Sequence, residues 1–265
     1  MTTPLPATIQ RGDGDTTVLL LHGVGGGKEV WPWQLEAVAA RGYRAVAWDM
    51  PGYGASAPVT PYTMGELAAS LALLLRAQGA RRVVLVGHSM GGMVAQELLA
   101  QAPKSVHGLV LSATTPAFGP ADGAWQQQFL QSRLAPLDEG RTMRDLAAEL
   151  VPAMVGTAPD TAGVRLATQM MGRVAPATYR AALHALVGFD RRDQLGAIRI
   201  PALLLAGERD ATAPPRVMER MAGRIPGARY TCVEGAGHLL SMEQPGRFND
   251  ALIAFLAQYF PPESQ

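Results

Sequence analysis

The segment RVVLVGHSMGGMVAQELLAQ, residues 82–101, is the most informative stretch of the chain. Its first six residues, 82–87, form a short apolar run that predicts a buried strand, and the apolar spacing over 90–101 predicts a helix. Between them lies Gly87-His-Ser-Met-Gly91, a Gly-x-Ser-x-Gly motif in the strand-turn-helix context that gives this motif its meaning. Ser89 is therefore a candidate nucleophile on a sharp turn at the end of a strand.

Glycines around this turn explain how a serine can occupy it. A turn tight enough to strain the backbone of the serine leaves no space for neighbouring side chains, and Gly87, Gly91 and Gly92 carry none. The following helix directs unpaired N–H groups and the positive end of its dipole towards the place where negative charge would develop. An ordinary glycine-rich loop has a similar composition, but the strand-turn-helix context favours the nucleophile.

A serine hydroxyl is a weak nucleophile, so a base must accept its proton and an acid must orient the base. The buried strand predicted at 202–206 ends in a polar turn that contains two candidate acids, Glu208 and Asp210. A later strand, 229–233, is followed by Glu234-Gly-Ala-Gly-His238, a glycine-flanked loop in which a histidine can turn back over the sheet edge. The chain order Ser, acid, His matches the order expected when these groups meet at one edge of a parallel sheet.

His238 is the only one of the five histidines that follows a late strand in such a loop. A lone histidine is more often structural than catalytic, yet this one occupies the position that the serine and the acid require. His107 is expected to be solvated at the start of a strand, and His184 is expected to lie in a later helix. His88 is next to the nucleophile and is expected to point elsewhere.

The loop after the first strand, His22-Gly-Val-Gly-Gly-Gly27, can supply a second donor to an oxyanion. Glycines let the backbone approach a bound group closely, so we assign the oxyanion hole to the backbone amides of Val24 and Met90. His22 and Gly23, beside them, are candidate substrate-binding residues. The rival interpretation, a phosphate-binding loop, fails because the stretch matches neither Gly-x-x-x-x-Gly-Lys-Ser/Thr nor Gly-x-Gly-x-x-Gly.

Outside these motifs, short Val/Leu/Ile-rich runs alternate with segments of helical period, which predicts an α/β fold with a doubly wound, mostly parallel sheet. The predicted strands are 17–22, 44–49, 82–87, 106–112, 202–206 and 229–233. The predicted helices between them are 31–40, 62–78, 90–101, 214–223 and 245–259.

The 86 residues from Thr114 to Arg199 interrupt the alternation, because they contain helical patterns and no convincing strand. We expect helices at 123–134, 143–154, 161–171 and 177–187 to form a cap over the active edge of the sheet. The chain then divides into a core, residues 1–113 and 200–265, and a cap, residues 114–199. Several cap methionines could line an apolar pocket, and Trp125 is the best aromatic candidate for contact with a substrate.

Composition excludes several classes of function. The 265 residues are 48% hydrophobic, and their 23 basic and 22 acidic side chains nearly cancel, which disfavours a nucleic-acid partner. The single cysteine, Cys232, cannot form an internal disulfide, and no Cys/His pair has the spacing of a zinc site. Residues 1–10 lack the pattern of a signal peptide and no stretch is long and apolar enough to span a membrane, so we expect a cytoplasmic protein without a membrane partner.

Five segments of the chain together resemble the motifs of the α/β-hydrolase superfamily. They are His22-Gly23, Asp49-Met-Pro-Gly-Tyr-Gly54, the Ser89 motif, the Asp210 loop and Gly237-His238. Within it the chain is most similar to the small bacterial group of 3-oxoadipate enol-lactonases, esterases and meta-cleavage-product hydrolases of aromatic catabolism. The resemblance implies a cap inserted after the sixth strand. It also favours Asp210 over Glu208 as the acid, because related loops carry the acid at that position.

These observations predict a serine hydrolase that cleaves a small-molecule carboxylic ester or lactone with Ser89, His238 and Asp210, without a metal or an organic cofactor. The resemblance leaves two alternatives, a carbon–carbon bond hydrolase of meta-cleavage products and a small-molecule binding protein without turnover. Relatives that open epoxides or cleave carbon–halogen bonds carry Asp where this chain has Ser89, so both of those activities are excluded. Peracid formation stays open as a side activity, since related perhydrolases share Ser-Met-Gly. The sequence does not determine the oligomeric state.

Overall fold

The computed structural model describes residues 4–119 and 123–262. Strands and helices alternate along this part of the chain. The strands are β1 (Thr8–Arg11), β2 (Thr16–Leu21), β3 (Arg44–Trp48), β4 (Arg82–His88), β5 (Gly108–Ser112), β6 (Ala202–Gly207) and β7 (Arg229–Val233). The α-helices are α1 (Pro32–Ala39), α2 (Met64–Gln78), α3 (Met90–Gln101), α4 (Ala124–Asp138), α5 (Met143–Met154), α6 (Thr161–Met171), α7 (Pro176–Val187), α8 (Pro215–Arg224), α9 (Leu240–Glu243) and α10 (Pro245–Tyr259).

The strands form one sheet in the order β1-β3-β2-β4-β5-β6-β7. β1 pairs antiparallel with β3, and every other pairing is parallel. All residues of β2, β5 and β6 are buried, as expected for strands of a parallel sheet covered on both faces. The structure confirms the predicted α/β fold with a mostly parallel, doubly wound sheet.

The sequence pattern does not predict the edge strand β1. It has four residues, Thr-Ile-Gln-Arg, two of them half-buried and two exposed, so it carries no run of apolar residues. Its place is determined by pairing with β3, where Thr8 lies opposite Trp48 and Arg11 opposite Ala45. Short half-exposed edge strands give almost no sequence signal.

The cap is inserted one strand earlier than the resemblance implies. Helices α4, α5, α6 and α7 lie between β5 and β6, so the insertion follows the fifth strand of the described residues and not the sixth. Among the described residues, one strand, β1, precedes β2, the strand that leads into the glycine loop. The division into a core and a cap as separate units remains a proposal.

Local capping accounts for several helix starts. In α5 a capping box joins Thr142 and Asp145: the Thr142 amide donates to Asp145 Oδ2 at 2.8 Å, and the Asp145 amide donates to Thr142 Oγ1 at 3.3 Å. Asp160 caps α6 by accepting from the amide of Ala162 at 2.7 Å and from that of Gly163 at 2.9 Å. The predicted bounds of both helices, 143–154 and 161–171, are confirmed.

The hydrophobic interior is continuous between the sheet layer and the cap. Trp31, Trp48 and Phe255 are fully buried in the core, and Leu146 and Val151 of α5 belong to the same cluster of buried side chains. Fully burying a leucine or valine stabilises the fold by about 1.5–3 kcal/mol, so these contacts hold α5 firmly in place. Among the described residues, no helix is long and apolar enough to cross a membrane.

Candidate active site

Ser89 lies on the turn between β4 and α3 with a strained backbone, φ 51° and ψ −121°. A Cβ at Gly87 would lie 2.5 Å from Gly92 Cα, and one at Gly91 would lie 2.2 Å from the carbonyl oxygen of Leu21. Both glycines are therefore required for the turn to close. Positive φ costs a non-glycine residue about 1–3 kcal/mol, and such strain is concentrated at functional sites. A strained residue between close-packed glycines is what a nucleophile on a sharp strand-to-helix turn requires.

Three side chains from separate loops meet at this turn. The hydroxyl of Ser89 lies 3.1 Å from His238 Nε2, and His238 Nδ1 lies 2.8 Å from Asp210 Oδ2. His238 and Asp210 are almost fully buried, whereas Ser89 is partly exposed and so remains accessible to a substrate. The structure thus brings together the three predicted residues, in hydrogen-bonding order.

Asp210 is held by its own loop. Its Oδ1 accepts hydrogen bonds from the amides of Thr212 at 2.7 Å and Ala213 at 2.9 Å, which leaves Oδ2 for His238. Burial alone would raise the pKa of this carboxyl, but the interaction with His238 and the two amide hydrogen bonds outweigh it and keep the pKa below its usual value. Asp210 is therefore a carboxylate suited to holding one imidazole tautomer.

Glu208, the other candidate acid, lies apart from the triad. Its side chain is 45% exposed and pairs with Arg209 at 3.4 Å. Its Oε2 accepts from the amide of Gly235 at 3.0 Å. Glu208 therefore lies at the surface of its loop. Of the two candidate acids, Asp210 is the one that contacts His238.

The glycine loop lies directly against the nucleophile. A Cβ at Gly23 would lie 3.0 Å from Ser89 Cβ and 3.2 Å from His88 Cδ2, so Gly23 borders the reacting group. Within the described residues, the amides of Val24 and Met90 donate to no other backbone carbonyl. Free amides at the first residue of α3 and in a loop beside Ser89 are what an oxyanion hole needs.

His22 is bonded to the glycine loop and to the turn that follows β3. Its ring is fully buried, with Nδ1 2.8 Å from the carbonyl oxygen of Gly23, and Nε2 accepts from the amide of Met50 at 2.9 Å. Burial lowers the pKa of His22 to about 4, although the Gly23 hydrogen bond opposes this, so the ring is neutral with its proton on Nδ1. His22 therefore holds the loop in place, and its predicted contact with a substrate stays a prediction, as does that of Gly23.

Two further residues near the site were not assigned a role from the sequence. His88 is buried with its ring centroid 5.0 Å from that of His238, and burial, aided by His238, lowers the pKa of His88 to about 3. Asp49 is also buried, and its carboxylate accepts from the amide of Lys28 at 2.9 Å and forms an ion pair with the Lys28 ammonium. The Asp49-Met-Pro-Gly-Tyr-Gly54 motif, which the sequence analysis uses only for the family resemblance, thus anchors the glycine loop through Asp49.

Trp125 lies in a surface aromatic cluster of the cap. Its ring is 5.6 Å from Phe129 in a stacked arrangement and 5.2 Å from Phe118, and 44% of the residue is exposed. Its role in substrate binding stays a prediction. Methionines of α6 lie closer to the glycine loop, since a Cβ at Gly25 would come within 3.3 Å of Met171.

Tyr53 provides a test of the loop's part in the chemistry. Its hydroxyl donates to the carbonyl oxygen of Val24 at 2.9 Å and its ring packs edge-on against His22. Loss of one neutral hydrogen bond is worth about 0.5–1.5 kcal/mol, so we expect Tyr53→Phe to lower kcat/KM by about two- to tenfold. Steady-state kinetics on an activated ester measure this effect.

The matched control is Tyr62→Phe, which removes a hydrogen bond of the same length, 2.9 Å, to Pro51 on the neighbouring turn. It should leave kcat/KM unchanged. Equal losses of kcat/KM in the two variants would mean that the glycine loop has no specific part in the oxyanion hole.

Among the described residues, no group of three or more His, Cys, Asp or Glu side chains is arranged to hold a metal ion.

Comparison with known proteins gives a consistent picture. A family model described as alpha/beta hydrolase fold matches residues 16–245. A pimeloyl-(acyl-carrier protein) methyl ester esterase from Edwardsiella ictaluri is 30% identical over 92% of this chain and 94% of its own length. The solved structure of a thermophilic esterase from Thermogutta terrifontis is 28% identical with a TM-score of 0.85, covering 96% of this chain and 93% of that one. An enol-lactonase from Burkholderia xenovorans shares the fold, with a TM-score of 0.83 at 22% identity over 95% and 96% of the two chains.

Proposed function

The chain belongs to the alpha/beta hydrolase fold family and is a hydrolase, and from that premise we propose that it cleaves a carboxylic ester or lactone through an acyl-enzyme on Ser89. The observation that carries this proposal is the hydrogen-bonded series of Ser89, His238 and Asp210, with separations of 3.1 and 2.8 Å. The two esterase relatives support an ester more directly than a lactone, because the likeness to the enol-lactonase is one of fold alone.

The first half of the reaction forms the acyl-enzyme. Ser89 Oγ attacks the substrate carbonyl carbon while His238 Nε2 accepts the hydroxyl proton. Asp210 accepts the Nδ1 hydrogen bond and stabilises the imidazolium that results. The carbonyl oxygen becomes an oxyanion, and the amides of Val24 and Met90 donate to it. His238 then returns the proton to the leaving alcohol, which for a lactone stays attached to the acyl group.

The second half repeats these roles with water in place of the serine hydroxyl. His238 accepts a proton from water, the resulting hydroxide attacks the acyl carbon, and Ser89 leaves with the proton held by His238. Each oxyanion donor in such a site contributes about 2.7–4 kcal/mol to the stability of the transition state. Apart from the substrate and water, each step uses only the side chains and amides named above.

The proposal can be tested with a panel of p-nitrophenyl esters, lactones and ring-fission products. We expect turnover of at least one ester or lactone, and intact-mass measurement after rapid quenching should detect an acyl group on Ser89. Exclusive turnover of ring-fission products would instead favour the carbon–carbon hydrolase. A stoichiometric acyl adduct that never hydrolyses would favour a binding protein.

Substrate choice is expected to depend on the cap, and Trp125 is the predicted contact. Trp125→Ala should change the ratio of kcat/KM between long and short acyl chains by roughly tenfold, since pocket truncations are worth about 1–3 kcal/mol. A small activated ester should still be hydrolysed at close to the parent rate. Competition assays with paired acyl lengths measure the ratio directly.

Tyr259→Ala is the matched control, because it removes a similarly exposed aromatic side chain from the core helix α10. It should leave the ratio unchanged. If the kcat/KM ratio is also unchanged in Trp125→Ala, the predicted contact between Trp125 and the substrate is wrong.

A further inference from the structure

Glu243 is buried, 3% exposed, and lies five residues after the triad histidine on the short helix α9. Its carboxylate accepts three backbone hydrogen bonds. Oε2 accepts from the amides of Gly237 at 2.9 Å and Gly156 at 2.6 Å, and Oε1 accepts from the amide of Leu239 at 2.8 Å. Two of the three donors are the residues on either side of His238, and the third belongs to the cap.

The cap also contacts His238 directly through its backbone. The amide of His238 donates to the carbonyl oxygen of Met154, the last residue of α5, at 2.7 Å, and the amide of Thr157 donates to the carbonyl oxygen of Gly235 at 2.9 Å. The two segments touch so closely that a Cβ at Gly156 would lie 1.8 Å from the Gly235 oxygen. Residues 154–157 of the cap and 235–239 of the core therefore form one interlocked unit, which we call the histidine clamp.

The proposed catalytic groups lie outside the cap, but the backbone of His238 is bonded to it. All three contacts of Glu243 require an acceptor, so the geometry suits the carboxylate. Burial raises the pKa of Glu243, and the three amides oppose that rise by stabilising the charged form.

We propose that Glu243 is a positioning residue for His238, which fixes the imidazole relative to Ser89 by tying the histidine loop to the end of α5. This inference rests on the proposed function, because positioning matters only if His238 transfers protons. The proposal requires that residues 154–157 of the cap, Glu243 and residues 235–239 move together as one rigid unit.

Glu243→Gln is the sharpest test, because no orientation of the amide suits all three donors. If the amide oxygen takes the place of Oε2, it retains Gly156 and Gly237, and the NH₂ group faces the Leu239 amide. The reverse orientation loses two acceptors. Small displacements of a catalytic group can cost up to about a hundredfold, so we expect kcat to fall by roughly ten- to a hundredfold with KM changed less than about threefold.

Glu97→Gln is the matched control. Glu97 is also a buried carboxylate that joins core to cap, through Arg191 at 2.6 Å, but it lies two turns along α3 and away from the histidine loop. Its substitution should leave kcat within about twofold. An equal fall in the two variants would mean that general loosening of the cap causes the loss, and would overturn the assignment of Glu243 to His238.

A spectroscopic readout separates positioning from mere stability. The proton between His238 Nδ1 and Asp210 Oδ2 gives a downfield ¹H NMR resonance, which should shift or broaden in Glu243→Gln and stay unchanged in Glu97→Gln. If Glu243→Gln does not fold, Glu243→Asp replaces it, since the shorter side chain keeps the charge but cannot reach all three amides. A folded Glu243 variant with parent kcat and an unchanged resonance would overturn the proposal.

One measurement needs neither a variant nor a substrate. In the wild-type protein the amides of Gly156, Gly237 and Leu239 should be protected from hydrogen exchange to the same degree, because they open together. Independent exchange of Gly156 would overturn the clamp. If the wild-type protein hydrolyses no ester or lactone, the proposed function fails, while exchange and the NMR resonance still test whether Glu243 holds His238.

Discussion

Replacing Ser89 with alanine is expected to abolish ester turnover while leaving the fold intact. The change removes the hydroxyl oxygen that lies 3.1 Å from His238 Nε2, so the proposed acyl-enzyme cannot form. Loss of the serine from a comparable triad lowers kcat by about 10⁶-fold. The strained backbone should tolerate alanine as it tolerates serine, because both carry a single Cβ. Steady-state kinetics of the purified variant measure the loss of turnover, and thermal unfolding checks that the fold is intact.

Ser112→Ala provides the control, since Ser112 is a fully buried serine paired in register with His88 on the neighbouring strand. Its hydroxyl has no hydrogen-bond partner within the described part of the chain, so its removal should leave both kcat and the melting temperature close to those of the parent. Activity of Ser89→Ala within tenfold of the parent would rule out Ser89 as the nucleophile. The acyl mass adduct should likewise be present in Ser112→Ala and absent from Ser89→Ala.

The sheet and the meeting of Ser89 with His238 could be predicted because their signals are local. Fully buried parallel strands require unbroken apolar runs, and a tight strand-to-helix turn requires glycines at fixed offsets from the serine. Parallel strands end at the same edge, so the loops after β4, β6 and β7 had to lie near one another. Ser89, Asp210 and His238 each belong to one of these loops, so they were expected to lie close together.

The choice between Asp210 and Glu208 illustrates what local signals leave open. Both acids follow the same strand, and only the resemblance favoured one of them. The structure distinguishes them through the turn itself, in which the Asp210 amide donates to the carbonyl oxygen of Gly207 at 3.1 Å and directs the side chain inward. The backbone conformation of a turn of this kind cannot be derived from the types of its residues.

Contacts between distant segments were beyond the sequence reasoning. Glu243 joins Gly156 across 87 positions of the chain, and His22 joins Met50 across 28. The first helix of the cap was also predicted to end at residue 134, yet α4 continues through Pro136 to Asp138. Such features depend on which surfaces meet after folding, and single-sequence patterns do not encode that.

Asp210→Asn is expected to lower kcat by about 10⁴-fold, the loss seen when the acid of such a triad becomes an amide. The contacts of Asp210 explain why this isosteric change is so costly. The amides of Thr212 and Ala213 both donate to Oδ1, so the oxygen of an asparagine should occupy that position and its NH₂ group should face His238. His238 Nδ1 must then accept, its proton moves to Nε2, and Nε2 can no longer accept from Ser89. The wrong tautomer is thereby imposed by the turn.

Glu208→Gln is the matched substitution, an acid-to-amide change two residues earlier in the same turn. Its side chain is half-exposed and accepts one amide hydrogen bond from Gly235, which a glutamine oxygen can also accept, so kcat should stay within about threefold of the parent. Kinetics of the two purified variants, with unfolding curves to establish that each is folded, decide between the acids. A large loss in Glu208→Gln together with a small one in Asp210→Asn would transfer the orienting role to Glu208. Because the His238 Nδ1 proton reports the tautomer, its downfield resonance should disappear in Asp210→Asn and persist in Glu208→Gln, which ties the kinetic loss to the hydrogen bond and not to a general change in the loop.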